Sequence, residues 1–330
     1  MRQVLESSRR DFLRGCVAGV ALARGGGRRF PLFTSPEKPK VVIVRDPLLR
    51  GPGSGVDSDR LLKMLDRSMQ SLYGSDTPVA AWKNVVRPGE VVGLKVNGLS
   101  GVGMTTSVLL VESICERLGE AGIAPKNIVI WDRLNTDLES AGFRINSRQD
   151  RIRTIGNDTL GYEDELAIFG GVGSRLAKTL TQVCDAVINL PVLKDHGIAG
   201  VTIALKNMFG AIHNPNKYHI NAGDPYVADV NMLPLIRQKV RLHICDATTA
   251  QYEGGPSFKP QWTWPFNGLI VSTDPVALDS VGWQILERKR AEKGMESLRA
   301  LGRAPNYIAT AADSQHRLGT TEPERIQLEL

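Results

Sequence analysis

The chain has 330 residues, of which 42% are hydrophobic and 23% are charged, and this composition is typical of a folded globular protein. Such a length accommodates one large α/β domain or two smaller ones. The formal net charge of +6 arises in residues 1–40, which hold nine of the 41 Lys and Arg residues and three of the 35 Asp and Glu residues. The rest of the chain holds 32 of each and is neutral, so its charge does not indicate a nucleic-acid partner, and we expect none.

The N-terminal residues resemble a twin-arginine export signal. The segment Ser8-Arg9-Arg10-Asp11-Phe12-Leu13-Arg14 matches the pattern S-R-R-x-F-L-K, with Arg in place of the final Lys. A short apolar run, Gly15 to Ala23, follows, and residues 24–39 are rich in Gly, Arg and Pro, as in a linker. We therefore expect residues 1–39 to be a signal peptide and linker that engages the twin-arginine translocation machinery.

The predicted signal implies a periplasmic or otherwise extracytoplasmic mature protein. No later apolar stretch approaches the about 20 residues of a membrane-spanning helix, so we expect no membrane span in the mature chain. The cysteines beyond the signal, Cys115, Cys184 and Cys245, lie far apart and form no C-x-x-C pair. This spacing predicts that the protein has no iron–sulfur cluster.

Short β-branched runs alternate with helical patterns along residues 40–330. Strands are predicted at residues 40–44, 91–96, 127–131, 186–190, 241–245 and 268–272, with a strand-like run at 326–330. Helices are predicted from Asp57 or Ser58, from Thr106 to Gly122, over 200–209, over 225–239 with a break near Pro234, after Pro275 and from about Pro305. This alternation predicts an α/β domain at 40–330, with a mostly parallel twisted sheet flanked by helices, and two α/β lobes as the alternative.

Polar side chains follow several predicted strands at the point where each strand ends. In an open α/β sheet, ligands bind outside the carboxyl ends of the strands. We therefore expect one cleft to be lined by Asn97, Asp132, Lys194, His196 and Asp246. Asp274 also follows a strand, but it precedes Pro275, where capping of the next helix is at least as well supported as chemistry.

The most informative stretch is 189–219, which contains three of the five histidines, His196, His213 and His219. Lysines and asparagines lie between them, among residues that normally build cores. Ionisable groups in an apolar setting are costly to bury unless they pair, bind a ligand or react. The alternative interpretation is a helix edge with solvated lysines and one or two core histidines.

Lys206 is the strongest candidate in this stretch. On the predicted helix at 200–209, Thr202 lies one turn before it, so both side chains can contact one ligand. Burial disfavours the charged form of a lysine, which suits Lys206 for anion binding, imine formation or attachment of a cofactor.

These patterns predict a small anionic ligand, with a divalent metal ion as a candidate cofactor whose identity stays open. The candidate catalytic residues are His196, Lys206 and Lys194. The candidate ligand-binding residues are Lys95, Asn97, Thr202, Asn207 and Asp274. The candidate metal ligands are His213, His219, Asp132 and Asp246.

Several motifs resemble the family called domain of unknown function 362, over most of residues 40–325. They are Lys95-Val96-Asn97, Leu190-Pro191-Val192-Leu193-Lys194-Asp195-His196, Val201-Thr202 through Lys206-Asn207-Met208-Phe209-Gly210, His219, Gly254-Gly255-Pro256 and Thr273-Asp274-Pro275-Val276-Ala277-Leu278-Asp279. Many members of that family carry a ferredoxin-like four-cysteine module, which this chain lacks. The resemblance implies the family's fold without naming a reaction.

A second pattern is similar to the site of nickel-pincer lactate racemases. It comprises His196, Ala199-Gly200, Thr202, Lys206 and Gly210, followed by His219. The resemblance implies that Lys206 matches a cofactor-anchoring lysine, His219 a metal ligand and His196 an acid–base histidine. Ile203-Ala204 and Phe209-Gly210 stand where those enzymes prefer Gly-Gly and Pro-Gly, so the resemblance concerns the position of the site and not the cofactor.

Three classes of function are compatible with these patterns. The first is an exported enzyme with a small anionic substrate, metal or cofactor at the strand ends. The second is a metal- or ligand-binding protein without turnover. The third is a partner subunit of an exported redox complex, which would use the aromatic-rich loop 247–267.

Overall fold

The computed structural model describes residues 38–51 and 55–330, and the predicted export signal lies outside them. The described residues belong to one compact unit, Lys38–Leu330, and not to two α/β lobes. Their strands are β1 (Lys40–Arg45), β2 (Val92–Lys95), β3 (Ile128–Asp132), β4 (Arg153–Gly156), β5 (Ala167–Phe169), β6 (Val172–Ser174), β7 (Ala186–Asn189), β8 (Val192–His196), β9 (Gly200–Thr202), β10 (Val240–Gln251), β11 (Thr263–Trp264), β12 (Gly268–Ser272) and β13 (Glu324–Glu329).

Helices cover both faces of the sheet. The α-helices are α1 (Ser58–Tyr73), α2 (Pro78–Trp82), α3 (Val108–Glu120), α4 (Asn135–Ser140), α5 (Asn157–Leu160), α6 (Ala204–Asn207), α7 (Tyr226–Met232), α8 (Pro234–Lys239), α9 (Pro275–Glu292) and α10 (Tyr307–Ala312). Short 3-10 segments lie at Pro125–Asn127, Met208–Ala211, Pro215–Tyr218, Ile220–Gly223 and Pro260–Trp262, and a π-helical turn lies at Thr179–Val183. None of the helices in the described part of the chain combines the length and the apolar character that a membrane crossing requires.

The main sheet is mostly parallel, as the alternation of strands and helices predicts. Its central path runs in the order β13-β1-β12-β10-β7-β2-β3-β4, and β8, β9 and β11 extend it beside β10. Strands β10, β7, β2, β3 and β4 are parallel neighbours, whereas β12 is antiparallel to both β1 and β10. The α/β fold class with a mostly parallel sheet flanked by helices is confirmed.

Alternate residues of each central strand pack into different cores. Val41 and Ile43 contribute to a core with the C-terminal helices, whereas Val42 and Val44 contribute to a core with α1, α2 and α3. Because successive side chains of a strand point to opposite faces, one strand supplies both cores at once. This double burial explains why the strand sequences are almost continuously apolar.

The predicted helix over residues 200–209 is wrong. Residues Gly200–Thr202 form β9, which pairs with β8, and the helical part begins only at Ala204. The β-branched run from Val201 to Ile203 favours a strand. Asp279, from α9, accepts hydrogen bonds from the backbone N–H groups of Ala204 at 2.6 Å and Leu205 at 3.2 Å and so holds the first turn of α6. Thr202 and Lys206 therefore do not share a helix face.

A buried histidine joins the C-terminal region to α7. His316 Nε2 lies 2.9 Å from Asp229 Oδ1, and His316 Nδ1 lies 2.9 Å from Asp313 Oδ1. Asp229 also accepts a hydrogen bond from the backbone N–H of Gly171 at 2.8 Å. Burial opposes protonation of the ring, but the hydrogen bonds with the two carboxylates outweigh it and raise the pKa of His316.

We expect the variant His316→Gln to be less stable than the wild type by about 1–3 kcal/mol at about pH 5.5, where the imidazolium would be paired with two carboxylates. A raised pKa in the folded state means that this contribution is complete below the pKa of the unfolded state and is lost as the pH rises through the folded value. The stability difference should therefore shrink at about pH 9, as measured by urea unfolding at both pH values. A difference that grows with pH would contradict this assignment.

Candidate functional site

A cleft of about 410 Å³ lies at the carboxyl ends of β2 and β3. It brings together nine of the twelve predicted site residues: Lys95, Asn97, Asp132, Lys194, His196, Thr202, Lys206, Asn207 and His219. The parallel register explains part of this convergence, because Lys95 of β2 lies opposite Trp131 of β3 and Asn189 of β7. Side chains that end neighbouring parallel strands meet at the same edge.

Strand β8 supplies two of the cleft residues from one side. Lys194 and His196 are two positions apart and both line the cleft, as expected for alternate residues of a strand. Asp195, between them, instead accepts a hydrogen bond from the backbone N–H of Gly255 at 2.8 Å. Gly255 and Pro256 line the cleft, so the aromatic-rich loop 247–267 reaches its edge.

Lys95 and Asp132 form a buried ion pair at the base of the cleft. Lys95 Nζ lies 2.8 Å from Asp132 Oδ1 and also donates to the carbonyl of Val96 at 2.6 Å. The other carboxylate oxygen of Asp132 accepts the backbone N–H of Gly98 at 2.7 Å. A Cβ added to Gly210 would lie 2.5 Å from Lys95 Cε and 2.8 Å from Asp132 Oδ1, so this position requires glycine. The charges of Lys95 and Asp132 cancel, so this pair adds no net charge to the cleft.

A chain of asparagines holds Lys194. Lys194 Nζ donates to Asn97 Oδ1 at 2.9 Å, and Asn97 Nδ2 donates to Asn207 Oδ1 at 2.9 Å. Asn207 Nδ2 then donates to Asn189 Oδ1 at 2.7 Å, and Asn189 Nδ2 donates to the carbonyl of Ala204 at 2.8 Å. Since an ammonium can only donate, every amide in the chain has one orientation. Lys194 is thereby fixed by neutral partners and not by a carboxylate.

Lys206, His196 and His219 form the second part of the site. Lys206 Nζ lies 2.9 Å from His219 Nε2 and 4.5 Å from the centre of the Phe209 ring. The rings of His196 and His219 are stacked, with centroids 5.3 Å apart. No carboxylate forms an ion pair with Lys206 in the described part of the chain.

The backbone assigns different proton positions to the two stacked rings. His196 Nδ1 accepts from the backbone N–H groups of Ile198 at 3.2 Å and Ala199 at 3.1 Å, so the neutral ring carries its proton on Nε2. His219 Nδ1 faces the carbonyl of Asn216 at 3.2 Å, so its proton lies on Nδ1 and Nε2 is an acceptor. One ring therefore offers a donor and the other an acceptor.

Burial shifts the protonation of these groups toward neutral forms. It lowers the pKa of Lys194 to about 7, and it lowers the pKa of Lys206 to about 7 with a further contribution from the charge of Lys194. Burial and the charge of Lys206 lower the pKa of His196 to about 2 and also lower the pKa of His219. The cleft therefore combines neutral imidazoles with two lysines that titrate near neutrality.

The hydroxyl of Thr202 is an unused polar group in the same cleft. Its side-chain oxygen is buried and has no hydrogen-bond partner among the described residues. A buried hydroxyl without a partner costs free energy, about 1–3 kcal/mol. Thr202 is thus available to a bound ligand, although β9 and not a helix places it there.

Three predicted site residues lie outside the cleft. Asp246 is in the middle of β10, because that strand continues to Gln251, and it accepts the backbone N–H of Ser107 at 2.9 Å. Asp274 caps α9 by accepting from Ala277 N at 2.9 Å. His213 is exposed and packs its ring edge-on against Tyr162. The expectation that Asp246 lines the cleft is therefore wrong, His213 lies away from the cleft, and Asp274 occupies the capping position that the sequence supported at least as well as chemistry.

The four candidate metal ligands do not come together in the described part of the chain. No group of three or more His, Cys, Asp or Glu side chains in residues 38–51 and 55–330 is arranged to hold a metal ion. His219 and Asp132 line the cleft, but His213 and Asp246 do not, and Asp132 is already paired with Lys95.

Sequence reasoning missed three residues that support the site. Asn189 lies inside the predicted strand 186–190, one residue before its end, so the rule that identified Asn97 and Asp132 after their strands does not select it. Ser100 accepts a hydrogen bond from Lys194 Nζ and lies in the loop after β2, where no pattern distinguishes it. Asp279 supports α6 from 75 positions away in the sequence, and no local signal reveals this contact.

The family model described as "Domain of unknown function (DUF362)" matches residues 92–284, which is more than half of the chain and includes every residue that lines the cleft. The chain therefore belongs to this family. No curated protein matches the chain. A crystal structure of a protein from Thermotoga maritima is similar, with a TM-score of 0.43 and 10% sequence identity over 72% of this chain and 59% of that chain. The match thus spans less than two thirds of that protein.

We expect Gly210→Ala to destabilise the protein by about 1–3 kcal/mol, because the added methyl group would force apart the buried pair of Lys95 and Asp132. The matched control is Gly119→Ala, in an exposed turn of α3 with no atom within 4 Å of the added Cβ. That control should gain up to about 1 kcal/mol from helix propensity. Urea unfolding measures both changes, and equal stability of the two variants would contradict the packing argument.

Proposed function

We propose that this protein is an enzyme that binds a small anionic substrate in the cleft. Lys194 and Lys206 contact the anion, and at the reacting atoms His219 transfers a proton while His196 donates a hydrogen bond. The observation that carries this proposal is the pair of buried lysines whose hydrogen-bond partners are all neutral. Buried cationic groups without a counter-ion are costly, and an anionic ligand supplies the missing charge.

The net charge of the residues that line the cleft favours an anionic ligand over a cationic one. Lys95 is neutralised by Asp132. The remaining charged groups that line the cleft are Arg133 and Asp137, which are half-buried and of opposite sign. The two lysines are therefore the only excess charge among the described residues that line the cleft.

The two stacked histidines support turnover and not passive binding. His196 offers its Nε2–H as a donor, and His219 offers the Nε2 lone pair as an acceptor. With ring centres 5.3 Å apart, His196 can donate a hydrogen bond to one atom of a ligand while His219 takes a proton from another. The spacing of His196, Lys206 and His219, similar to that of lactate racemases, makes 2-hydroxy acids the first substrates to test.

We expect Lys206→Ala to weaken lactate binding by about 10- to 100-fold, because the variant loses a charged hydrogen-bond donor. Lys206→Arg should also bind weakly, since a planar guanidinium cannot occupy the space of a compact ammonium. The matched control is Lys217→Ala, which removes an exposed lysine. Calorimetry measures binding, and circular dichroism and thermal unfolding check the fold. Unchanged affinity of Lys206→Ala would contradict the proposal, as would a variant that simply unfolds.

We also propose that residues 1–39 direct export through the twin-arginine route, on the strength of the motif around Arg9 and Arg10 and of the neutral charge of the rest of the chain. Changing both arginines to lysine should leave the precursor in the cytoplasm, because the signal requires both guanidinium groups. Cell fractionation with an antibody to the chain measures this. Undiminished delivery of the double variant to the periplasm would refute the proposal.

A further inference from the structure

We propose that Lys206 forms an imine with the carbonyl carbon of a small 2-oxo acid whose carboxylate is held by Lys194. This inference rests on the proposed function, because it uses the same cleft and the same anionic ligand. It assigns different roles to the two lysines and thereby names a substrate class.

The surroundings of the two lysines separate their protonation states. Lys194 has two oxygen acceptors, Asn97 Oδ1 and Ser100 Oγ, and the charges of Asp132 and Asp195 favour its ammonium. Among the described residues, Lys206 has no oxygen acceptor and no ion-paired carboxylate, and the charge of Lys194 disfavours a second charge on Lys206. Lys194 therefore has the partners of an ammonium, whereas Lys206 faces a lone pair that can take its proton and leave the neutral amine, the form that attacks a carbonyl group.

His219 is positioned to activate Lys206. Its Nε2 lies 2.9 Å from Lys206 Nζ, and its Nδ1–H is held by the carbonyl of Asn216 at 3.2 Å. The ring therefore presents a lone pair to the amine and can take a proton from it. The Phe209 ring lies 4.5 Å from the same Nζ and covers one side of it.

The covalent step balances without another reactant. The Lys206 nitrogen adds to the carbonyl carbon, and His219 carries one N–H hydrogen to the carbonyl oxygen to give a carbinolamine. The C–O bond then breaks while the nitrogen lone pair forms the C=N bond. The second N–H hydrogen leaves with the oxygen, so both amine hydrogens and the carbonyl oxygen depart as one water molecule. His196, through its Nε2–H, donates a hydrogen bond to the departing oxygen.

Two unused hydrogen-bonding groups remain for the carboxylate. An ammonium has three hydrogens, and Asn97 and Ser100 occupy two of those of Lys194. The hydroxyl of Thr202 is buried at the cleft wall without a partner. A carboxylate that accepts from both groups satisfies them together. A ligand with a carboxylate beside a carbonyl group, a 2-oxo acid, matches this set.

Reductive trapping tests the imine. The protein is incubated with pyruvate, glyoxylate or oxaloacetate and sodium cyanoborohydride, which reduces an imine to a stable secondary amine. We expect one adduct per chain, located on Lys206 by peptide mass spectrometry. The adduct should be lost in Lys206→Met and kept in the matched control Lys217→Met, and His219→Gln should slow trapping by about a hundredfold.

Peptide mass spectrometry of the wild-type protein identifies the lysine that carries the adduct, even if Lys206→Met does not fold. Adducts spread over exposed lysines, or confined to a residue other than Lys206, would overturn the imine. Lactate has no carbonyl group beside its carboxylate, so it separates the two proposals. If lactate binds but no oxo acid is trapped on Lys206, the imine is wrong and the anion site stands. If lactate does not bind and no oxo acid is trapped, both proposals are wrong.

Discussion

The site depends on a directional chain of hydrogen bonds that begins at Lys194. Because an ammonium has no acceptor, it fixes the oxygen of Asn97, and each amide then fixes the next as far as the backbone of α6. Each of the three amides in this series donates to a buried acceptor, which limits the cost of burying polar groups. It also connects β2, β7, β8 and α6 around one cation. The position of Lys206, in α6, is therefore set by the same contacts that hold Lys194.

The cleft shows how partners give one residue type three different states. Lys95 has a carboxylate at 2.8 Å and is a fixed charge. Lys194 has neutral oxygen acceptors, and Lys206 has an imidazole nitrogen. Since burial is nearly complete for all three, the difference in their chemistry comes from these partners and not from solvent exposure. The combination suits a site that must hold an anion and also offer a reactive amine.

Most of the cleft could be predicted from the sequence, because parallel strands end at the same edge of a sheet. Asn97 and Asp132 were identified directly from that rule. The prediction that Asp246 lines the cleft was wrong because β10 continues past this residue and pairs with β8 and β11. No local sequence pattern reveals that continuation. Lys206 was identified from its apolar neighbours, yet its helix was predicted too long. The start of α6 depends on Asp279, a distant residue, and tertiary contacts of this kind lie beyond sequence periodicity.

The alternation of side chains in β8 decides what sign of charge the cleft can accept. Lys194 and His196 face the ligand, while Asp195 faces the backbone of Gly255 on the other side of the strand. A shift of β8 by a single residue relative to its neighbours would exchange these faces and present a carboxylate in place of an ammonium. An insertion or deletion of one residue before β8 would thus change the sign of the charge that this strand presents to the cleft, without any substitution at Lys194.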